Sequence, residues 1–183
     1  MRYPIHTAET AAGTAKDFLS GAQKFYGFVP NLLGTMAEAP ALLKAYVTLS
    51  RIFEESSFNA TERQVVLLTV SYENGCEYCI AAHSVISDMQ GVPSAVVMAI
   101  REGRLIPDKQ LEALRRFTAA VVSSRGWPTE EEVNAFVAAG YGKQQVLEVV
   151  LGVGIKTLSN YTNHIAETPL DAAFAKAAWS KAA

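Results

Sequence analysis

The sequence predicts an all-α fold, on three observations. Apolar residues recur at three- and four-residue steps, as Leu111, Leu114, Phe117 and Val121 do along one helix face. No segment alternates apolar and polar residues in the manner of a half-buried strand. Asn74-Gly75, a hairpin-type dipeptide, leads into a cysteine segment instead of joining two β-branched runs. Glycine and proline then divide the chain at helix-length intervals into a compact bundle of about eight helices.

The elements follow in order. A first helix runs from near Thr10 to Tyr26 and stops at Gly27. The turn Phe28-Val29-Pro30-Asn31 leads to a short helix, and Pro40 opens a longer one reaching about Glu55. Asn59-Ala60-Thr61-Glu62 has the cap residue and the following acid of a capping box, opening a helix to about Tyr72. The next spans Cys76 to Gln90 and ends at Gly91. Pro93 opens one to Arg101, and Pro107 one that ends near Gly126. Thr129-Glu130-Glu131-Glu132 is a second capping box, for a helix stopped by Gly140. A long helix covers Lys143 to Ala166, and a last one follows Pro169. Within the long helix, Gly152 and Gly154 each cost about 1 kcal/mol relative to alanine, which close packing of another helix would offset, including across a subunit interface.

A chain of 183 residues suits one domain over 1–183, without linkers or low-complexity tracts. Half its residues are hydrophobic, 19% are charged and the net charge is −2, so phosphate backbones and anionic lipid exert no general pull. Nucleic-acid and membrane partners are therefore not expected. The apolar run Val146 to Ile155 is too short to span a bilayer and contains Glu148. No N-terminal stretch reads as a secretory leader, and a lone C-x-x-C fits a reducing cytoplasm better than a disulfide scaffold.

The two cysteines and a histidine fall in one run, Cys76-Glu77-Tyr78-Cys79-Ile80-Ala81-Ala82-His83. On a helix these three side chains lie within an arc of roughly 60°. An i, i+3 pair has its Cα atoms about 5 Å apart, close enough for a disulfide. A cysteine attacks as its thiolate. Here a helix terminus, a second sulfur and an imidazole all bear on that ionisation, and the terminus by itself favours Cys76 as the more acidic thiol. Such parts suffice for peroxide reduction: a thiolate becomes a sulfenic acid, and the second cysteine condenses with it to a disulfide.

The run Glu62-Arg63-Gln64 through Asn74-Gly75 to His83 resembles the carboxymuconolactone decarboxylase superfamily, and within it the alkylhydroperoxidase D branch with its C-x-x-C-x-x-x-H helix. The likeness covers roughly residues 40–125. Asn160-Tyr161-Thr162-Asn163-His164 is similar to the longer peroxidase-related members. The resemblance implies an alkylhydroperoxidase D-like fold, a trimer or a hexamer of trimers, and thiol peroxidase activity on small hydroperoxides, regenerated by a dithiol reductant. No cofactor beyond the redox-active Cys76–Cys79 pair and no metal is implied. By the same analogy Cys79 is peroxidatic, Cys76 resolving and His83 part of a proton relay.

Two positions depart from that pattern. The relay glutamate is replaced by Gln64, which can orient His83 but cannot exchange a proton at neutral pH. Glu62 and Glu73 are the nearby acids that can substitute, although Glu62 already has a capping role. Tyr78 replaces the histidine found between the cysteines. Without a carboxylate partner His83 should titrate low, and activity should rise with thiolate formation through about pH 7 to 8.

Other readings stand beside this one. The dithiol fits a redox adaptor with little peroxide turnover, a pair of core cysteines, or a zinc site completed by His6 or His164. His164 reads as a helix-end or interface residue, with the site rim as the alternative. Phe25, Tyr26 and Phe28 read as core or interface, with an apolar substrate channel as the alternative. Arg115-Arg116 reads as a solvated face.

Overall fold

The structure is a computed structural model and describes residues 3–181. Among them are nine α-helices, α1 (Thr14–Tyr26), α2 (Asn31–Met36), α3 (Pro40–Glu54), α4 (Ala60–Glu73), α5 (Glu77–Met89), α6 (Ser94–Arg101), α7 (Lys109–Ser123), α8 (Glu130–Ala138) and α9 (Lys143–Ala166). A 3-10 helix (Ala172–Ala177) follows, and no strand forms among the described residues. No helix there is long and apolar enough to cross a membrane.

Helix α4 is the axis of the bundle. Every residue from Gln64 to Ser71 is buried, because α5, α6, α7 and α9 cover it on all sides. A helix enclosed in this way carries apolar residues around its whole circumference, as Val65, Val66, Leu67, Leu68 and Val70 do. Its start is the expected capping box, with Glu62 N donating to Asn59 Oδ1 and Asn59 N to Glu62 Oε2. The box at Thr129 and Glu132 opens α8 likewise.

Two apolar clusters flank this axis. The larger joins α4, α7 and α9 with α6 and α8, and contains the stacked rings of Phe117, Phe136 and Tyr141 at 4.4 Å centroid spacings. The smaller joins α1, α2 and α5 with Phe174 of the 3-10 helix, and includes both cysteines. Tyr46 of α3 borders both clusters.

The junction of α4 and α5 places the dithiol. Gly75 takes φ +65°, a left-handed value that favours glycine, and closes α4 with two bonds, Gly75 N to Tyr72 O and Cys76 N to Ser71 O. The chain reverses within two residues, so α5 starts at once. Cys76 consequently caps α5 with extended backbone (φ −83°, ψ 95°) and does not lie in the first turn as the spacing implied. The other boundaries shift modestly. Helix α1 starts at Thr14 after Gly13, α7 starts at Lys109 on an Asp108 cap, and the segment after Pro169 tightens to 3-10 geometry.

The two glycines of α9 part company. A Cβ on Gly152 would come 2.5 Å from Val66 Cγ1 and 3.2 Å from Phe53 Cζ, so its close packing lies within the chain, against α4 and α3. Gly154 faces open space. Gly152→Ala should therefore destabilise by about 1–3 kcal/mol through overpacking. An unchanged urea midpoint would show that α9 can move away from α4.

Candidate active site

The smaller cluster closes over the sulfurs. Cys76 and Cys79 are free thiols and each is 1% exposed. Helix α9 presents a buried polar row to them. Lys156, Ser159, Asn160 and Asn163 continue the buried face of Val149 and Gly152 at helical spacing. Asn163 Nδ2 donates to Cys79 Sγ at 3.3 Å and lies 3.7 Å from Cys76 Sγ, and Ser159 Oγ stands 3.9 Å from Cys79 Sγ. Lys156, 1% exposed, encloses its ammonium here without a hydrogen-bond partner among the described residues.

These neighbours separate the two thiols. Burial pushes the Cys79 thiol up, but the hydrogen bond from Cys76, the Lys156 charge and the Ser159 hydroxyl together bring it well below its ordinary value. Cys76 moves the opposite way, raised by its hydrogen bond to Cys79, by burial and by the Cys79 charge. The surroundings thus favour ionisation at Cys79 over Cys76. Helix-terminus electrostatics alone favoured the reverse. Cys76 sits at the cap itself, whereas Cys79, the third residue of α5, faces the donors of α9.

His83 lies one turn further along α5. Its Nδ1 is 2.9 Å from Gln64 Oε1, and Gln64 Nε2 donates to Gln90 Oε1 at 3.0 Å. Nδ1 therefore carries the proton, and Nε2 is left as the acceptor. Burial, then the Lys156 charge, drive the imidazole well below its usual value, so His83 is neutral. The imidazole is lowered, as expected in direction, and the causes are burial and the Lys156 charge.

Glu73 does not join this group. It lines a groove with Glu112 and Arg115 of α7 and makes no hydrogen bond to His83 or either cysteine. Glu62 is spent on the α4 cap and on Tyr141 Oη. Tyr78 points away from the sulfurs' polar row: its hydroxyl donates to Asp171 and accepts from Leu32 N. His6 bonds to Glu38, and His164 is exposed, stacking on Tyr161. No group of three metal-binding side chains converges among the described residues. Phe28 meets Phe174, which meets Tyr78, whereas Phe25 is exposed. Arg115, read as solvated, is largely covered by its paired bonds to Glu112.

Lys156 is the site residue that sequence reasoning missed. Its signal was positional, since it shares a helical face with Gly152, Ser159 and Asn163.

A pH consequence follows from the Cys79 shift. The reactive form is the thiolate, present above the depressed value and lost as pH falls through it. Alkylation of Cys79 by iodoacetamide should reach its plateau at lower pH than that of an ordinary thiol and decline as pH falls further. A tenfold rise per pH unit through neutrality would instead reveal an ordinary thiol.

The family model for the carboxymuconolactone decarboxylase family matches residues 40–139. No curated protein matches the chain significantly in sequence. Among solved structures, an uncharacterized peroxidase-related protein with an alkylhydroperoxidase AhpD core, from Ralstonia eutropha JMP134, superposes with TM-score 0.85 at 19% identity. It covers 94% of this chain and 93% of its own. A variant of the debrominase Bmp8 in complex with 2,3,4-tribromopyrrole has TM-score 0.77 at 20% identity, covering 97% and 95%. A putative antioxidant defence protein AhpD from Agrobacterium tumefaciens has TM-score 0.63 at 17% identity, covering 74% and 96%. These likenesses show a shared all-α fold.

Proposed function

The chain belongs to the carboxymuconolactone decarboxylase family, and we propose that it is a thiol peroxidase acting on small hydroperoxides through a Cys76–Cys79 disulfide cycle. The observation that carries this reading is the asymmetry of the buried dithiol, in which the polar donors Asn163 and Ser159 of α9 converge on Cys79 beside Cys76. Cys79 attacks the terminal peroxide oxygen, the O–O bond breaks, and the alkoxide leaves as the alcohol once protonated. Cys76 then condenses with the sulfenic acid, giving the disulfide and water. Its position one turn away makes this step intramolecular. His83, held by Gln64, orients the site and offers Nε2 as an acceptor. An external dithiol restores the thiols.

Reduced protein with dithiothreitol should consume cumene hydroperoxide catalytically, with one equivalent of dithiothreitol oxidised per peroxide. Consumption no faster than by dithiothreitol alone would remove the proposal.

Burial of both sulfurs at 1% exposure favours a small substrate over a partner protein's disulfide, which weighs against the adaptor reading. Reductive dehalogenation has one observation behind it, the fold shared with the debrominase. The thiolate would take the bromine while the ring carbon keeps the bonding pair and gains a proton, and Cys76, losing its own proton, would displace bromide from the sulfenyl bromide to form the same disulfide. Bromide release from a bromopyrrole without peroxide turnover would select it.

The proposal includes self-association as a trimer or hexamer. Leu147, Val150, Tyr161 and Ile165, each more than half exposed, form with Gly154 an apolar stripe on the outer face of α9, of the kind that marks interfaces. Light scattering should give a multiple of 19.7 kDa, and the monomer mass would refute it.

A further inference from the structure

Lys156 Nζ is enclosed with no oxygen or nitrogen acceptor in hydrogen-bond geometry among the described residues, and its charge and its approach to the sulfur both favour the Cys79 thiolate. A buried cation is costly unless a counter-charge faces it, and the Cys79 thiolate supplies that charge. Beside it, Asn163 turns its nitrogen to both sulfurs while its carboxamide oxygen is enclosed and unpartnered. A donor and an acceptor, both unsatisfied, therefore border the nucleophilic sulfur. Buried polar groups are rarely left so unless a ligand or water completes them.

The other proton carriers facing this sulfur are engaged. Neutral His83 commits its Nδ1 proton to Gln64. Burial and the Cys79 charge hold the Tyr46 phenol firmly protonated. Tyr78 donates to Asp171, the only carboxylate bonded to any of these groups among the described residues. The Cys76 proton is needed for the condensation step. Lys156 alone has no oxygen or nitrogen acceptor for its protons among the described residues.

Building on the peroxidase reading, we infer that Lys156 is the proton donor of the peroxide step and the proton acceptor of the reductive step, while Asn163 Oδ1 receives the peroxide hydroxyl. A sulfur lone pair of Cys79 forms the S–O bond, and the O–O bonding pair leaves on the distal oxygen. That oxygen takes a proton from Lys156. Thiolate, hydroperoxide and ammonium thus become sulfenic acid, alcohol and amine, so the enclosed site is neutral before and after. Cys76 attacks the sulfenic sulfur, its proton leaving with the hydroxyl as water. When an external dithiol reduces the disulfide, its two electrons and two protons regenerate the Cys79 thiolate, the Cys76 thiol and the Lys156 ammonium.

The inference defines a substrate class. Alkyl hydroperoxides and hydrogen peroxide have basic leaving oxygens that need a proton, whereas peracids leave as carboxylates that do not. It also explains how Gln64 is tolerated at the relay position, since the proton comes from α9 and not from α4.

Single-turnover oxidation of the reduced protein by tert-butyl hydroperoxide and by peracetic acid tests this, with iodoacetamide alkylation recording the thiolate in each protein. Lys156→Met should slow the hydroperoxide step roughly 100-fold more than the peracid step. Equal slowing, matched by the loss of alkylation, would overturn the inference and leave Lys156 as a charge that only stabilises the thiolate. Should the methionine variant fail to unfold cooperatively, Lys156→Gln carries the same expectation. A wild-type protein that alkylates rapidly yet reacts with neither peroxide would defeat the peroxidase reading itself, a result separate from the leaving-group comparison.

Discussion

Cys79→Ser is expected to abolish peroxide consumption, while Cys76→Ser reacts once and stops at a sulfenic acid on Cys79 that dimedone traps. The asymmetry rests on where the donors lie. Asn163 and Ser159 of α9, with the Lys156 charge, converge on Cys79, whereas Cys76 is held as a thiol by its neighbour. Removing Cys79 deletes the sulfur on which the α9 donors converge, and with it the hydrogen bond and charge that raise Cys76, whose remaining upward influence is burial. Removing Cys76 takes away both the resolving thiol and the hydrogen bond that helps ionise Cys79. The first oxidation of Cys76→Ser should therefore be slower than wild type as well as terminal. Dimedone on Cys76 in Cys79→Ser, with none on Cys79 in the reciprocal variant, would reverse the roles.

Asp171→Ala should cost about 2–4 kcal/mol of stability, the largest effect expected outside the dithiol. Asp171 is buried, yet its carboxylate accepts from the Tyr78 hydroxyl and from Asn31 N at the start of α2. Tyr78 lies between the cysteines, so this network ties α2 and the segment after α9 to the beginning of α5. Truncation strands two donors at once, one buried and one half-buried. Tyr78→Phe removes one donor and keeps the ring against Phe174, so about 1–2 kcal/mol is expected. The double variant should cost less than the sum, because both changes break the same bond. Urea unfolding measures all three, and an Asp171→Ala loss under about 0.5 kcal/mol would show that the network is dispensable.

Much of the fold is readable from local chemistry. Capping boxes at Asn59 and Thr129 and the stops at Gly27, Gly91 and Gly140 act within a few residues, so α4, α8 and the ends of α1 and α5 could be read directly. The run Lys143 to Ala166 is continuous in pattern and is a continuous helix. What could not be read depends on contacts distant in sequence. Spacing is the same whether Cys76 caps α5 or enters its first turn. The choice is made by the bonds to Ser71 and Tyr72 that close α4. Gly152 and Gly154 look equivalent in sequence, but one meets Val66 and Phe53 and the other meets nothing.

The site divides along the same line. Cys76, Cys79 and His83 share one short segment, and Gln64 reaches His83 from the neighbouring helix. Glu73 looked equally near, yet α4 turns it toward Arg115. Lys156 was hidden because a lysine in a helix ordinarily marks the wet face. Only the packing of α9 on α4 and α5, some eighty positions from the cysteines, brings it inside. The Lys156 charge is one of the influences that lower the Cys79 thiol, so the ionisation step falls at lower pH than for an ordinary cysteine.

The most direct test of the account is a single-turnover thiol count. Reduced protein is mixed with one equivalent of cumene hydroperoxide at neutral pH, quenched with an alkylating agent and mapped by peptide mass. Loss of both thiols into an intramolecular Cys76–Cys79 disulfide, with one equivalent of alcohol formed, is the predicted result. Two thiols still free, or disulfides formed only between chains, would contradict it.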